Sequence, residues 1–316
     1  MKNKKKTSFL IAISFLIFII SCVQNPYKTT NKSYKKQARK YSKIIAASNL
    51  KDTVGFNAPV DWVGTTNFNM RKPNFVIIHH TAQNSCDQTL KTFTLPRTSV
   101  SAHYVICKDG TVHHMLNDYL RAWHAGAGRW GSLTDVNSSS IGIELDNNGF
   151  EPFGDKQMES LEKLLAHLKK TYVIPQANFI GHADIAPTRK NDPNINFDWK
   201  SLSYKGYGIW YGDTTNSVIP VDFKPLIALK VIGYDIKDST AAILTFKRKF
   251  VKDETKKSLN TSDLKVLYGV WKVNSYLGKQ KYKLHPPILL GYCHCFHFGM
   301  YMQLLINIFY MFSSGF

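Results

Sequence analysis

Acidic residues are scarce in this 316-residue sequence, where 22 Asp and Glu stand against 41 Lys and Arg and the formal charge is +19 at pH 7. The imbalance points to an anionic partner: nucleic acid, an anionic membrane face or an acidic wall polymer. No helix-turn-helix, zinc-finger or basic–aromatic RNA motif accompanies the charge, so a nucleic-acid partner is not expected. Cysteine is limited to five residues, and neither Cys86 nor Cys107 stands beside a histidine in a cysteine-hydrolase pattern. These two could pair in an oxidising compartment, but the reading adopted here is two buried or half-buried thiols, since sequence alone cannot bring them together. There is no internal repeat. The N-terminal apolar run, Phe9 to Ile20, broken only by Ser14, is too short for a comfortable membrane span. What is present suits a folded chain: 44% hydrophobic and 13% aromatic residues, and length enough for one substantial core plus a second small module.

The N-terminus narrows the compartment. Lys2, Lys4, Lys5 and Lys6 form a basic region ahead of the apolar run, as in a secretory signal. Ile19-Ile20-Ser21-Cys22 resembles a bacterial lipobox, in which cleavage precedes a lipid-carrying cysteine, although Ile19 and Ile20 replace the usual Leu and small residue. The expectation is a signal peptide over 1–21, lipidation at Cys22 and attachment to a bacterial membrane, the outer membrane with the protein facing the periplasm. The alternative is an ordinary signal peptide with an incidental cysteine. Residues 22–60, polar and lysine-rich, read as a tether.

From Asn74 the character changes. Phe75 to Ile78 is an apolar run suited to a buried strand. A short helix is expected around Cys86 to Phe93. His103–Cys107 and Thr111–Met115 flank Asp109-Gly110, a hairpin signal. Ser140 to Leu145 reads as another strand, Met158, Leu161, Leu165 and Leu168 predict a helix over 155–171, and Asn178 to Gly181 is a last strand. The fold expected is α/β (α+β): a central mixed sheet flanked by helices over 61–205, followed by a small three-helix bundle over 215–277. The bundle helices are predicted at Phe223–Ile232, Ser239–Phe250 and Thr261–Trp271, with Ser239, and Thr261 or Ser262, as N-caps.

Three polar clusters sit where strands end: His79-His80-Thr81, then Glu144, then His182 with Lys190 and Asp192 on the following loop. Hydrolysing an amide near neutral pH needs an activated water, a base for its proton and a positive charge for the oxyanion. Two histidines and an aspartate on a zinc ion, a glutamate and a lysine supply those three things. Any one of these residues alone is as well read as structural.

The motifs decide between those readings. Ile78-His79-His80-Thr81-Ala82, Ser101-Ala102-His103-Tyr104, Trp123-His124-Ala125-Gly126, Ser140-Ile141-Gly142-Ile143-Glu144-Leu145 and Gly181-His182 through Asp192-Pro193 follow one another in order. Together they resemble the signature blocks of the type 2 N-acetylmuramoyl-L-alanine amidases, the family of T7-type lysozyme and the peptidoglycan recognition proteins. The resemblance covers about residues 60–200. It implies zinc as cofactor, with His79, His182 and Asp192 as ligands, Glu144 as catalytic base and Lys190 as the oxyanion's partner. The implied reaction is hydrolysis of the amide bond between N-acetylmuramic acid and L-alanine in peptidoglycan or muropeptides. His80 falls on the opposite strand face from His79 and is expected to be support, and His103 to be structural. His124 either contacts substrate or packs. No protein partner is implied. The alternative function is a non-catalytic peptidoglycan recognition module on the same fold. Such modules typically lose a zinc ligand, whereas here every ligand position is filled.

The second region resembles the helical peptidoglycan-binding domain of lipoprotein members of the family, which makes it a separable wall-binding module. Its 14 basic and 6 acidic residues over 220–283 suit an anionic polymer, or equally a solvated face. After Lys283 charge disappears, and the tail over 278–316 has no assigned role. Its Cys293, His294, Cys295 and His297 match no closed zinc spacing. Met300–Phe312 reads either as a membrane-associated helix or as a segment outside the selected fold.

Overall fold

The computed structural model describes residues 25–46, 65 and 67–283. The proposed signal, Cys22 and the tail cluster lie outside them. The chain divides into compact units at residues 1–70 and 71–316. The first contains helix α1, Lys28–Ala46, with no buried residue. This helix lies in the stretch read as a tether. Its apolar Tyr34, Tyr41, Ile44 and Ile45 are all exposed; Tyr34, Tyr41 and Ile45 recur near helical spacing, a stripe too sparse to stand out amid lysines.

The second unit is built on one five-stranded sheet. In chain order it contains β1 Phe75–His80, α2 Cys86–Thr94, β2 Tyr104–Ile106, β3 Val112–His114, α3 Val136–Ser139, β4 Ser140–Leu145, α4 Asp155–Tyr172, β5 Phe179–Gly181, α5 His182–Ile185 and α6 Trp199–Tyr204. The spatial order is β3-β2-β4-β1-β5. β1 lies parallel to both β4 and β5, β2 is parallel to β4, and only β3 runs antiparallel, closing the hairpin at Asp109-Gly110. Central parallel strands are covered on both faces, which is why β1 and β4 read as continuous apolar runs. One face carries Val76, Ile78, Ile141, Ile143 and Phe179 against Leu161, Leu165 and Leu168 of α4, all of them fully buried. Each such leucine contributes on the order of 2 kcal/mol by leaving water. The other face carries a smaller cluster of Ile77, Ile180 and Ile185. Its upper end is left for polar residues.

Cys86 and Cys107 are joined in a disulfide, with their Cα atoms 5.4 Å apart, which corrects the free-thiol expectation. One opens α2 and the other follows β2, elements that touch only through tertiary packing. Closing a loop of that length contributes about 3 kcal/mol in the chain-entropy account.

The bundle follows as α7 Pro225–Ile232, α8 Ser239–Phe250 and α9 Thr261–Lys283. The caps lie one residue earlier than expected: Asp238 accepts from Ala241 N–H at 2.9 Å, and Asn260 and Asp263 cap each other. Ser239, Thr261 and Ser262 are already helical, because a carboxylate or amide one position upstream reaches the free N–H groups. α9 also runs past Trp271 to Lys283.

The bundle shares its packing with the sheet-bearing region. Its core, with Leu229, Ile232, Phe246 and Leu267, takes in Ile209 and packs on Trp130, Ala177 and Trp210 of the sheet-bearing region. Gly131 N–H donates to Gly233 O at 2.7 Å. A Cβ on Gly233, whose φ is 136°, would lie 2.3 Å from the Trp130 ring, so glycine permits this close seat. The basic face also changes meaning. Lys247 is fully buried between Asp253 and Asp263, at 3.0 and 3.1 Å, and Lys249 is buried against Asp184. These charges are internal and face no polymer.

Candidate metal centre

Three parallel strands end side by side, and each delivers one polar group. His79 on β1 is in register with Glu144 on β4, so both side chains leave the sheet on the face of Ile77, away from the main core. β5 flanks β1 on its other side and runs straight into α5, whose first residue is His182. The loop after α5 returns Asp192 to the same place. His79 Nδ1, His182 Nδ1 and Asp192 Oδ2 lie 2.9–3.1 Å from one another, and all three residues are buried. The Glu144 Oε1 is 3.9 Å from His79 Nδ1, beside the group but outside it.

The donor set fits a divalent zinc ion. It offers two imidazole nitrogens and one carboxylate oxygen, converging and withdrawn from water. The remaining ring nitrogens are also spoken for. His182 Nε2 is 3.2 Å from Ala125 O, an acceptor only, so it carries the proton and Nδ1 keeps its lone pair. His79 Nε2 is 3.0 Å from His124 Nδ1, His124 Nε2 is 3.2 Å from Ser140 Oγ, and Ser140 Oγ donates to Val136 O at 2.6 Å. Read back from that carbonyl, each group accepts from the next: Ser140 Oγ from His124 Nε2–H and His124 Nδ1 from His79 Nε2–H, so His79 Nδ1 is again left as a lone pair. Outer partners of this kind set both tautomer and orientation of metal-binding histidines.

Electrostatics agree. Burial, with the neighbouring His182, lowers His79 to about 4, so it stays neutral, although Asp192 opposes the shift. Burial pushes the Asp192 carboxyl up, but hydrogen bonds with His182 and His79 overcome that and hold it below the usual carboxylate range. Burial raises Glu144 to about 8; Asp192 adds to the rise, and the charge of Lys190 opposes it. A carboxyl held beside the ligand group, outside it, is where a general base would stand. Lys190 itself is exposed on the loop between His182 and Asp192.

His80 turns to the other face, where its Nδ1 accepts from Asn194 N–H at 3.1 Å. His103 is buried and its Nδ1 accepts from Gly142 N–H, a structural position. His124 is buried behind His79, their rings edge to face with centroids 5.1 Å apart. Its seat depends on Gly142, where a Cβ would lie 2.4 Å from His124 Cγ. A Gly142→Ala substitution should therefore displace His124, loosen His79 and weaken zinc binding on the order of 10-fold or more, measured by chelator competition. Ser140, Asn137, which accepts from both His124 and Ala125 N–H, and Asp184 were not singled out from the sequence. Their partners lie on other segments, so no local pattern marks them. Among the described residues a second cluster, Cys86, Cys107 and His113, offers no thiolate because its cysteines are bonded.

Comparison with known proteins agrees with this geometry. The N-acetylmuramoyl-L-alanine amidase family model matches residues 69–195. The amidase AmiD of Escherichia coli is 34% identical over 187 residues, spanning 51% of this chain and 67% of that protein. The 1,6-anhydro-N-acetylmuramyl-L-alanine amidase AmpD of Haemophilus influenzae is 40% identical over 102 residues, 32% of this chain and 55% of its own length. Among solved structures, the AmiD complex with anhydro-N-acetylmuramic acid-L-Ala-D-gamma-Glu-L-Lys superposes with a TM-score of 0.58 at 25% identity, covering 66% of this chain and 93% of that one. AmpDh3 of Pseudomonas aeruginosa gives the same TM-score and identity over 70% of this chain and 98% of its own. Matched by this family model and by a relative 34% identical over two thirds of its length, the chain belongs to the N-acetylmuramoyl-L-alanine amidase family.

Proposed function

We propose that this amidase works with a single zinc ion held by His79, His182 and Asp192, and cuts the bond between N-acetylmuramic acid and L-alanine in peptidoglycan or muropeptides. The observation that carries the reading is the buried two-histidine, one-aspartate group with Glu144 beside it. Zinc held there would supply a Lewis acid for water and the scissile carbonyl. The chain's own residues do the rest. Glu144 takes the water's proton and returns it to the leaving amine, and Lys190, on the loop at the mouth, offers its ammonium to the oxyanion. A recognition module that does not cut has no use for a complete ligand set with a carboxyl beside it, so the enzyme reading is preferred. Purified protein lacking residues 1–21 should hold one zinc per chain and lose activity to a chelator; active protein free of metal by elemental analysis would refute the zinc reading.

The same reading places the enzyme in a bacterial envelope, lipid-anchored through Cys22 to the periplasmic side of the outer membrane. Lys2–Lys6, the Phe9–Ile20 run and the lipobox-like Ile19–Cys22 support it. Among the described residues no helix is long and apolar enough to cross a membrane. In a bacterial host, Cys22→Ala protein should no longer incorporate labelled fatty acid or fractionate with membranes. A variant as membrane-bound as the parent would shift the anchor to the uncharged tail.

A further inference from the structure

The bundle reaches the metal ligands through one buried carboxylate. Asp184 is the third residue of α5, two positions after His182, and is only 2% exposed. Its Oδ2 accepts from Gly181 N–H at 2.8 Å and from the Lys249 ammonium at 2.6 Å, and its Oδ1 accepts from the Tyr234 hydroxyl at 2.8 Å. Lys249 belongs to α8 and Tyr234 follows α7, so two of the three donors come from the bundle. The Lys249 ammonium also lies 3.9 Å over the Trp199 ring, where α6 begins. Burial, with Asp184 adding to it, keeps the Tyr234 phenol protonated and therefore a donor.

This contact does not end at Asp184. Ala183 N–H, the next residue back, donates to Asp192 O at 2.8 Å, and Arg129 N–H donates to Ile185 O at 2.7 Å. The four residues of α5 thus carry one ligand in their own sequence and hold the backbone of another. A helix this short has little rigidity of its own, since it closes hardly more than a single turn. Its position is set by what its side chains are bonded to. A buried carboxylate left without its charged partner is strongly destabilised, enough to make α5 shift in search of water or another donor.

We propose that the C-terminal bundle is a positioning element of the metal centre, with Lys249 and Tyr234 fixing α5 through Asp184 and thereby His182 and Asp192. Neither residue touches the metal group or the reacting atoms; both act through Asp184. The inference rests on the zinc reading above and assigns the bundle a role in the chemistry besides any contact with the wall.

The test is zinc affinity of the whole chain lacking residues 1–21, stripped of metal and titrated against a chromophoric chelator, with circular dichroism confirming the fold. Lys249→Met and Tyr234→Phe should each raise the zinc Kd on the order of 10-fold or more, as loss of outer partners does. Val270→Ala, which opens a gap in the bundle core and removes none of the donors to Asp184, should lower the melting temperature and leave zinc affinity unchanged. If Lys249→Met does not fold, Tyr234→Phe, which removes a single oxygen, carries the comparison. Parent-like zinc affinity in a folded Tyr234→Phe chain would overturn the proposal, as would an equal loss in Val270→Ala. A parent chain that takes up no zinc overturns the metal reading itself, a result distinct from variants that bind as the parent does.

Discussion

Glu144→Gln protein should keep its metal and lose turnover on the order of 100-fold or more. The expectation follows from where the carboxyl lies. Glu144 Oε1 stands 3.9 Å from His79 Nδ1, while the three ligand atoms are within 3.1 Å of one another, so the glutamate adjoins the metal group without belonging to it. Glutamine has nearly the same shape and fills the same space at the end of β4. It cannot accept a proton from water. Replacing His79 or Asp192 by alanine should behave differently, with metal and activity lost together, because two donors do not hold zinc against dilution. Metal content and turnover measured on the same preparations separate the two classes. Near-normal turnover in Glu144→Gln would mean that another group is the base.

Removing the bundle, by ending the chain near residue 215, should abolish cleavage of small soluble muropeptides as well as binding to sacculi. The sequence alone suggests the opposite, a catalytic domain that survives the loss of a wall-binding appendage. The magnitudes decide. Truncation strips Lys249 and Tyr234 from Asp184, at about 3–5 kcal/mol for the orphaned carboxylate. It also uncovers Trp130 and Trp210, which pack on the bundle core. Domains of this size are stable by only about 5–15 kcal/mol, so the sum is a large part of the whole. Turnover on a soluble fragment and cooperative melting of the shortened chain are the measurements. A shortened chain that melts cooperatively and cuts soluble fragments at the parent's rate would show that the bundle is dispensable to the site.

The strands, the long helix and the polar residues at the strand ends were legible because each rests on a local pattern. Phe75–Ile78 and Ser140–Leu145 are short apolar runs, α4 repeats its leucines at helical spacing, and His79, Glu144 and His182 each stand where such a run stops. Alternation along β1 put His79 and His80 on opposite faces, and the family resemblance chose between them. The family motifs did the rest, since they name residue types in a fixed order. What no local pattern carries is pairing between distant segments. The Cys86–Cys107 bond, the relay from His79 through His124 to Ser140, and the Lys249–Asp184–Tyr234 contact each join residues that only the folded chain brings together. Lys247 and Lys249 show the physical reason most clearly. A lysine on an amphipathic helix reads as solvated, because water is the cheapest partner for an isolated charge. Only tertiary packing puts a carboxylate within 2.6 Å of Lys249 and removes the water, and with that step the bundle passes from an appendage to a part of the site.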